Sequence, residues 1–495
     1  QIKTDHASVN VIAKGSPSLK KMAVGLRQEI IKNLNQKGLS KTQVNLTSAL
    51  LLGQKKELDP EIYNDFSSAG VIHILAVSGL HVGIVLMILN FILNPLEQVR
   101  GGKYFKYTLS VLCIWFFALL VGFSPSVIRA ATMFTFLNAG LIFKRKASTI
   151  NMLCLSALVM LIYNPYLIFS VGFQMSYLAV LGIISFQPLI KRKFYIKGWL
   201  SRKLFDVLLV SFCAQLGVLP LSIFYFHQFP CLFLVANLLI IPWLFILIGF
   251  GIVVITASFI NFDFALLYEL YGRTLDFLLL VIHEIASYKK LIFKNIYFTK
   301  EMMISLYIII FFSFLFFKYQ QKGFVFSLLI SVLLFQCIYI YDFYQINQQQ
   351  KLFVLHKNRK SIIVDKTGNH LKVFIDPYHS IQNSSLLENF KTQLASEIDT
   401  FQLKNFHQTP IGKNLLIIDS LGIWQLPKGI HANYVLLSNS PKINLEKVLL
   451  EIKPQHVIVD GSNYFSYVER WRITCRKKKV PFHYTREKGA FVIDY

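Results

Sequence analysis

The residues of this chain that could do chemistry are polar side chains set inside long apolar stretches. The first group lies in Gly70-Val-Ile-His-Ile-Leu-Ala-Val-Ser-Gly-Leu-His-Val-Gly83. The stretch is apolar enough to enter a bilayer, yet it carries His73, Ser78 and His81. Polar groups are costly in hydrocarbon and face a bundle interior or a water-filled path. His73, Val77 and His81 recur every four residues, which predicts one helix face for both histidines. Ser78 and His81 are three apart, close enough for a serine–histidine pair of the hydrolase kind. No acidic residue that could orient the histidine sits nearby, and eight residues between histidines is not a metal-ligand spacing. Three readings stay open: lining of a polar path, structural hydrogen bonding, and catalysis. Gly79 and Gly83 form a small-xxx-small pair that lets another helix come close.

Three more groups follow the same logic. In Phe123-Ser-Pro-Ser-Val-Ile-Arg-Ala-Ala-Thr-Met133, Pro125 fits a break between helices and Ser124 can cap the next one. Arg129 then lies in an apolar span with no acidic residue adjacent. It either snorkels to the interface or needs a partner: a carboxylate on another helix, backbone carbonyls, or an anionic substrate. In Asn164–Gly182, Gly172, Gln174 and Ser176 put small and polar groups in an apolar span, a pattern of close helix packing. In Ala214–Pro230 and Ala236–Pro242, Gln215, Pro220, His227, Asn237 and Pro242 interrupt two apolar runs. Broken helices are tolerated at membrane depth where they line a cavity. Phe224, Tyr225, Phe226 and Phe229 could stack on bases of a single strand or form an interfacial belt.

The whole chain matches these local readings. It has 495 residues, 54% hydrophobic, with 44 Phe. Such apolar runs exclude an ordinary soluble protein and point to a polytopic α-helical membrane protein. The net charge of +25 fits positive loops on the inner side, and equally an attraction for a polyanion. The six cysteines are isolated and read as small apolar residues. No cofactor or metal is expected.

Apolar runs at about 72–94, 107–123, 127–143, 149–164, 167–188, 204–226, 231–257, 264–287, 302–317 and 324–343 predict nine to ten spans, some of them broken. Segment 264–287 carries Glu269, Arg273, Asp276, His283 and Glu284, and an interfacial position is the alternative to crossing. Lys and Arg gather after the first, third and fifth runs, at 100–106, 144–146 and 191–203, which predicts those loops to be cytoplasmic and residues 1–71 outside.

Before the spans, Val9–Ala13 reads as a strand, 18–40 as an amphipathic helix, about 43–52 as a second helix, and Asp59-Pro60 as a helix start. After them, 345–351 reads as a polar linker. Short strands at Leu352–Leu355, Ser361–Val364, Lys372–Ile375, Leu415–Ile418, Val435–Leu437 and Val457–Val459, with helices at 444–452 and 463–478, predict a soluble α/β domain over 352–495.

The segment His73-Ile-Leu-Ala-Val-Ser-Gly-Leu-His-Val-Gly83 closely resembles the signature of the ComEC-type competence family. Pro-Ser-x-x-Arg-Ala at 125–130, Gly-Phe-Gln-x-Ser-Tyr at 172–177 and the block 214–242 are similar to that family in the same order. The resemblance implies a DNA-internalisation channel of the bacterial inner membrane. One strand would pass to the cytoplasm, with an outer DNA receptor and a cytoplasmic DNA translocase as partners alongside membrane lipids. It also implies an outer oligonucleotide-binding-type domain before this region. Residues 1–71 are then a soluble or interfacial lead-in holding a remnant of it, and 72–344 the transmembrane competence domain. A start at Gln1 without Met predicts that an N-terminal part is missing.

Relatives often end in a metallo-β-lactamase-like domain that needs a His-x-His-x-Asp-His cluster. Here His356, His370, His379, His407, His431, His456 and His483 are scattered, and Asp460-Gly-Ser-Asn463, which could seat one metal, reads rather as a turn. A degenerate, non-catalytic relative of that domain is expected. The DNA-path candidates are His73, Ser78, His81, Arg129, Gln174, Gln215 and His227. Gly79, Gly83, Pro125, Gly172, Pro220 and Pro242 are candidates for packing or breaks. A transporter of another anionic solute (a lipid or nucleotide) and an intramembrane hydrolase are the alternatives.

Overall fold

The computed structural model describes residues 19–142, 148–260, 262–368, 370–375, 397–403, 405–408, 412–426 and 429–495. The expected strand Val9–Ala13, the basic group Lys144-Arg145-Lys146 and His379 lie outside the described residues. The chain forms two compact units, Gln1–Lys294 with Tyr307–Phe326, and Asn295–Leu306 with Ser327–Tyr495.

In the first unit, α1 (Leu19–Gln36) is followed by α2 (Lys41–Leu52). Ser40 caps α2 by a reciprocal exchange: Ser40 Oγ accepts from Gln43 N and Gln43 Oε1 accepts from Ser40 N. Gly53, at φ +71°, ends the helix in the left-handed conformation that glycine adopts freely. Asp59 caps α3 (Pro60–Ser68) by accepting from Glu61 N, with Pro60 in the first turn.

The apolar run that follows does not form one helix. It divides into α4 (Ile72–Leu75) and α5 (Gly79–Ile92), because Ala76 and Ser78 are extended. Next come α6 (Gly102–Val121), α7 (Pro125–Ile142), α8 (Thr149–Tyr163), α9 (Val171–Lys191) and α10 (Trp199–Phe226). Then follow β1 (Gln228–Pro230), α11 (Phe233–Phe259), α12 (Ala265–Ser287) and β2 (Ile292–Lys294), which pairs antiparallel with β1. The last two long helices are α13 (Lys300–Tyr319) and α14 (Lys322–Gln348).

Among the described residues, six helices are long and apolar enough to cross a membrane: α6, α9, α10, α11, α13 and α14. The expected nine to ten spans exceed this number for physical reasons. The first run is split, α7 carries Arg129 and Asn138 within its 18 residues, and α8 has 15 residues, about 22 Å at 1.5 Å per residue against a ~30 Å core. In α12, the polar pairs Arg273–Glu269 and Gln43–Asp276 replace apolar surface.

Helices α10 and α11 run through Pro220 and Pro242, so the expected breaks do not fall there. Near Pro220, Tyr307 Oη donates to the Gly217 carbonyl at 3.2 Å.

One core holds much of the first unit together. Ile30 and Leu34 of α1, Leu46 and Leu50 of α2, and Phe66 of α3 are buried in it with Ile84 of α5, Leu244 of α11 and Tyr271 of α12. A second core joins Val82 and Leu86 of α5, Ile114 and Ala118 of α6, and Ala130 of α7. Helices α9 and α10 cross so closely that a Cβ on Gly217 would lie 2.1 Å from the Leu178 carbonyl oxygen. A Cβ on Gly182 would lie 2.5 Å from the Cys213 carbonyl oxygen.

The second unit contains two five-stranded sheets. One has the order β12 (Phe491–Asp494), β3 (Gln350–Lys357), β4 (Lys360–Thr367), β5 (His370–Ile375), β6 (Glu397–Gln402). The other runs β11 (Phe482–Tyr484), β10 (His456–Val459), β9 (Tyr434–Leu437), β8 (Leu415–Ile418), β7 (Phe406–His407). Strands β8 to β11 are parallel, and the runs of β8, β9 and β10 are apolar on both faces, as covered parallel sheets require.

Alternation assigns each residue to a layer. Leu415, Ile417, Leu436 and Ile458 face Leu352, Val354 and Ile363 of the other sheet. Leu416, Ile418, Val435 and Val457 pack instead with Val448 of α15 (Leu445–Ile452) and Trp471 of α16 (Phe465–Lys477). This α/β architecture is the one expected of a degenerate metallo-β-lactamase-like domain.

The expected linker at 345–351 is not one. Helix α14 continues to Gln348 and β3 begins at Gln350. Ile346 is buried, and the buried Lys366 Nζ of β4 donates to the Ile346 carbonyl at 2.8 Å, which caps the helix end. Burial, with the nearby charge of Lys351, pushes the Lys366 ammonium down to about 8. The Asp365 carboxylate, in the layer between the sheets, accepts from Tyr495 Oη and pairs with His407 Nε2 at 3.1 Å.

Candidate functional site

The gap between α4 and α5 is built from its own polar groups. Ser78 is the N-cap of α5: its Oγ accepts from Leu80 N. His81 returns the exchange, Nδ1 accepting from Ser78 N at 3.3 Å and lying 3.1 Å from Ser78 Oγ. Because Nδ1 accepts, the proton of a neutral ring sits on Nε2. That buried Nε2 has no hydrogen-bond partner. Among the described residues no carboxylate orients the ring, and the pair serves as a helix cap. His73 is exposed, and the shared face predicted for it with His81 is lost because the helix is interrupted between them.

Helix α7 closes on this gap. Its first turn starts at Pro125, and Ser126 Oγ donates to the Val77 carbonyl at 2.8 Å, satisfying a backbone group left open by the break. One turn on, Arg129 is only 6% exposed. Its Nε and Nη1 have no hydrogen-bond partner among the described residues, and its Nη2 lies 3.0 Å from where a Cβ on Gly79 would stand. The guanidinium carbon is 5.5 Å from the centre of the Tyr177 ring of α9, a cation–π contact. Tyr177 Oη in turn lies 3.0 Å from Ser156 Oγ of α8.

The structure therefore brings Gly79 and Arg129 together, and Ser78 with His81. Gly83 makes an ordinary contact with Phe134. Gln174 lies one turn before Tyr177; its Nε2 donates to the Ile168 carbonyl and its buried Oε1 has no partner. Gln215 is half-buried midway along α10 and does not join these hydrogen bonds. His227 ends α10 at φ +52°. Around Gly172 a Cβ would meet open space, so it is not the close-packing position that its spacing suggested.

Tyr177, Ser126 and Ser156 are the residues that sequence reasoning passed over. Tyr177 stands in the Gly-Phe-Gln-x-Ser-Tyr run, but nothing in its spacing pairs it with an arginine 48 positions earlier.

A separate cleft of about 1090 Å³ lies between α3, α12 and the β1–β2 pair. Glu61, Asp65, Gln228, His283 and Lys294 line it, with His283 Nδ1 2.9 Å from Asp65. Its two carboxylates oppose a polyanion, which the Arg129 group does not.

In the second unit, His356 lies against Thr485, His407 against Asp365, and His483 against the Gly489 carbonyl. Among the described residues no three of His, Cys, Asp and Glu converge as metal ligands.

A family model for competence proteins matches residues 50–323, more than half of the chain. The chain belongs to the competence protein family. A second model, the ComEC C-terminal domain, matches 352–495. ComE operon protein 3 of Bacillus subtilis (strain 168) is 31% identical over 229 residues, 46% of this chain and 28% of that protein. Recombination protein 2 of Haemophilus influenzae is 26% identical over 229 residues, 44% of this chain and 29% of that protein. An uncharacterized protein of Aquifex aeolicus (strain VF5) is 35% identical over 139 residues, 28% of this chain and 32% of that protein. The chain thus spans under a third of the length of these relatives. No solved structure matches. Six apolar helices and the competence family together make this a multi-pass membrane protein.

Proposed function

We propose that this protein passes single-stranded DNA through the inner membrane of a bacterium during natural transformation. The observation that carries the reading is Arg129: a buried guanidinium on a helix of the membrane unit, with two nitrogens unpartnered and no ion-paired carboxylate among the described residues. Such a charge is expensive unless an anion meets it. A passing phosphate backbone is that anion, and membership of the competence family agrees with it.

His81, Gln174 and Gln215 are the further candidates for shaping the path. The second unit acts as a non-catalytic domain, and the capping role of Ser78 and His81 favours a channel over a hydrolase. An outer DNA receptor and a cytoplasmic translocase are the partners that the channel needs.

The test is uptake of labelled DNA by cells lacking this gene and carrying wild type, Arg129→Ala or Arg129→Lys, with membrane abundance measured alongside. Wild type should restore uptake, Ala should abolish it at normal abundance, and Lys should retain part, since charge survives without the two-pronged geometry. Normal uptake by the Ala variant would remove Arg129 from the path.

A further inference from the structure

The start of α5 carries a second, independent reason for an anion at the same place. An α-helix bears about half a positive charge at its amino end. Helix α5 has 14 residues, and its first residue is Gly79. Ser78 Oγ answers Leu80 N, while no acceptor among the described residues takes the Gly79 N–H. Against this end stands the Arg129 guanidinium, 3.0 Å from the space a Gly79 Cβ would fill. A cation beside the positive end of a helix is a repulsive arrangement. Burial aggravates it, and neither a carboxylate nor a backbone carbonyl takes Nε or Nη1.

Both partners offer donors only, and both are relieved by one negative charge between them. We propose that the amino end of α5 and Arg129 together form a seat for a phosphodiester monoanion. The planar fork of Arg129 meets two non-bridging oxygens, and the first-turn backbone meets one of them. Gly79 is required there because any side chain would occupy the seat. Tyr177 is a positioning residue: its ring holds the guanidinium plane, and Ser156 holds its hydroxyl. The seat rests on the DNA-path reading for the identity of its natural occupant, since a lipid headgroup is also a phosphodiester.

The experiment uses the purified full chain in detergent, with dimethyl phosphate as the probe and chloride at equal ionic strength as the control. Binding is read by calorimetry and by the thermal midpoint. Wild type should bind dimethyl phosphate and gain stability from it. Arg129→Gln should bind at least tenfold more weakly, and Arg129→Lys should fall between. Gly79→Ala keeps the charge but puts a methyl 3.0 Å from Nη2, in the seat itself, so it too should lose binding. Undiminished binding by Arg129→Gln, or by Gly79→Ala should Arg129→Gln fail to fold, would overturn the seat. Equal stabilisation by chloride would do the same.

Short oligothymidylate and a short-chain phosphatidylglycerol then separate the sources. Arg129-dependent binding of the oligonucleotide supports the seat with DNA as its occupant. Arg129-dependent binding of the lipid alone keeps the seat and overturns the DNA path. Loss of uptake in Arg129→Ala cells with no phosphodiester binding by the wild type overturns the seat and leaves the DNA path standing.

Discussion

Replacing Gly217 by alanine should separate α9 from α10. The added methyl would lie 2.1 Å from the Leu178 carbonyl oxygen and 2.9 Å from its carbon. Both are backbone atoms, which cannot rotate away as a side-chain tip can. To reach the 3.4 Å of an ordinary contact, the helices must part by about 1.3 Å at this level. The displacement reaches Cys213, Leu209 and Phe186, whose small core also takes Ile310 and Phe314 of α13. Overpacking of this kind costs about 1–3 kcal/mol. Strain on the Tyr307–Gly217 hydrogen bond adds about 1 kcal/mol. The sum, roughly 2–4 kcal/mol, should appear as a lower unfolding free energy when the purified protein is titrated with SDS in mixed micelles. Gly172→Ala is the control: its methyl meets open space, and alanine is the better helix former by about 1 kcal/mol. If Gly217→Ala unfolds with the wild type, or Gly172→Ala loses as much, the close crossing does not hold these helices.

Lys366 should make the second unit more stable as pH rises from about 8 towards 10.5. Over that range the unfolded chain still holds a proton that the folded lysine has released. Lys366→Met should flatten this rise, and a wild-type-minus-mutant stability difference that is constant with pH would refute the assignment. The full chain should not degrade DNA with Mg²⁺, Mn²⁺ or Zn²⁺; divalent-dependent cleavage abolished by Asp460→Ala would reveal a missed site. A single cysteine replacing Arg192, in a background without the native six, should react from the cytoplasmic side; labelling from outside would invert the topology.

Local chemistry was the most legible part of the fold. Ser40 with Gln43, Gly53, and Asp59 with Pro60 mark helix ends through the groups that satisfy those ends, so they could be read without any tertiary contact. The apolar strands β8, β9 and β10 announced themselves by composition. Strands β7 and β11, two and three residues long, were not legible because they carry too little pattern. The polar run at 345–351 misled because its helix end is satisfied by Lys366, twenty residues on. The basic loop after the first run also carries less free charge than its residues suggest. Lys106 is buried against Glu97 at 2.7 Å, leaving Arg100 and Lys103 to set the sign. At the site, Arg129, Ser78, Gly79 and His81 could be named from residue type alone. What they do depends on which helix faces which: His73 drops out because the non-helical residues 76–78 intervene, and Tyr177 enters because α9 packs beside α7.

The pairing of β12 with β3 has a consequence for how the protein is made. Phe491 sits opposite Val354, 137 positions earlier. At about 5–20 residues per second, the ribosome needs on the order of ten seconds to supply the partner of a strand already outside it. During that delay Leu352 and Val354 lack their neighbour in the sheet, and Asp365 waits for Tyr495. The second unit can therefore reach its final sheet only once Phe491–Asp494 have been made, long after β3 has left the ribosome. Until then its growing edge is a hazard that the cell must cover, and a ribosome stalled just before Phe491 would yield a chain whose β3 edge stays open.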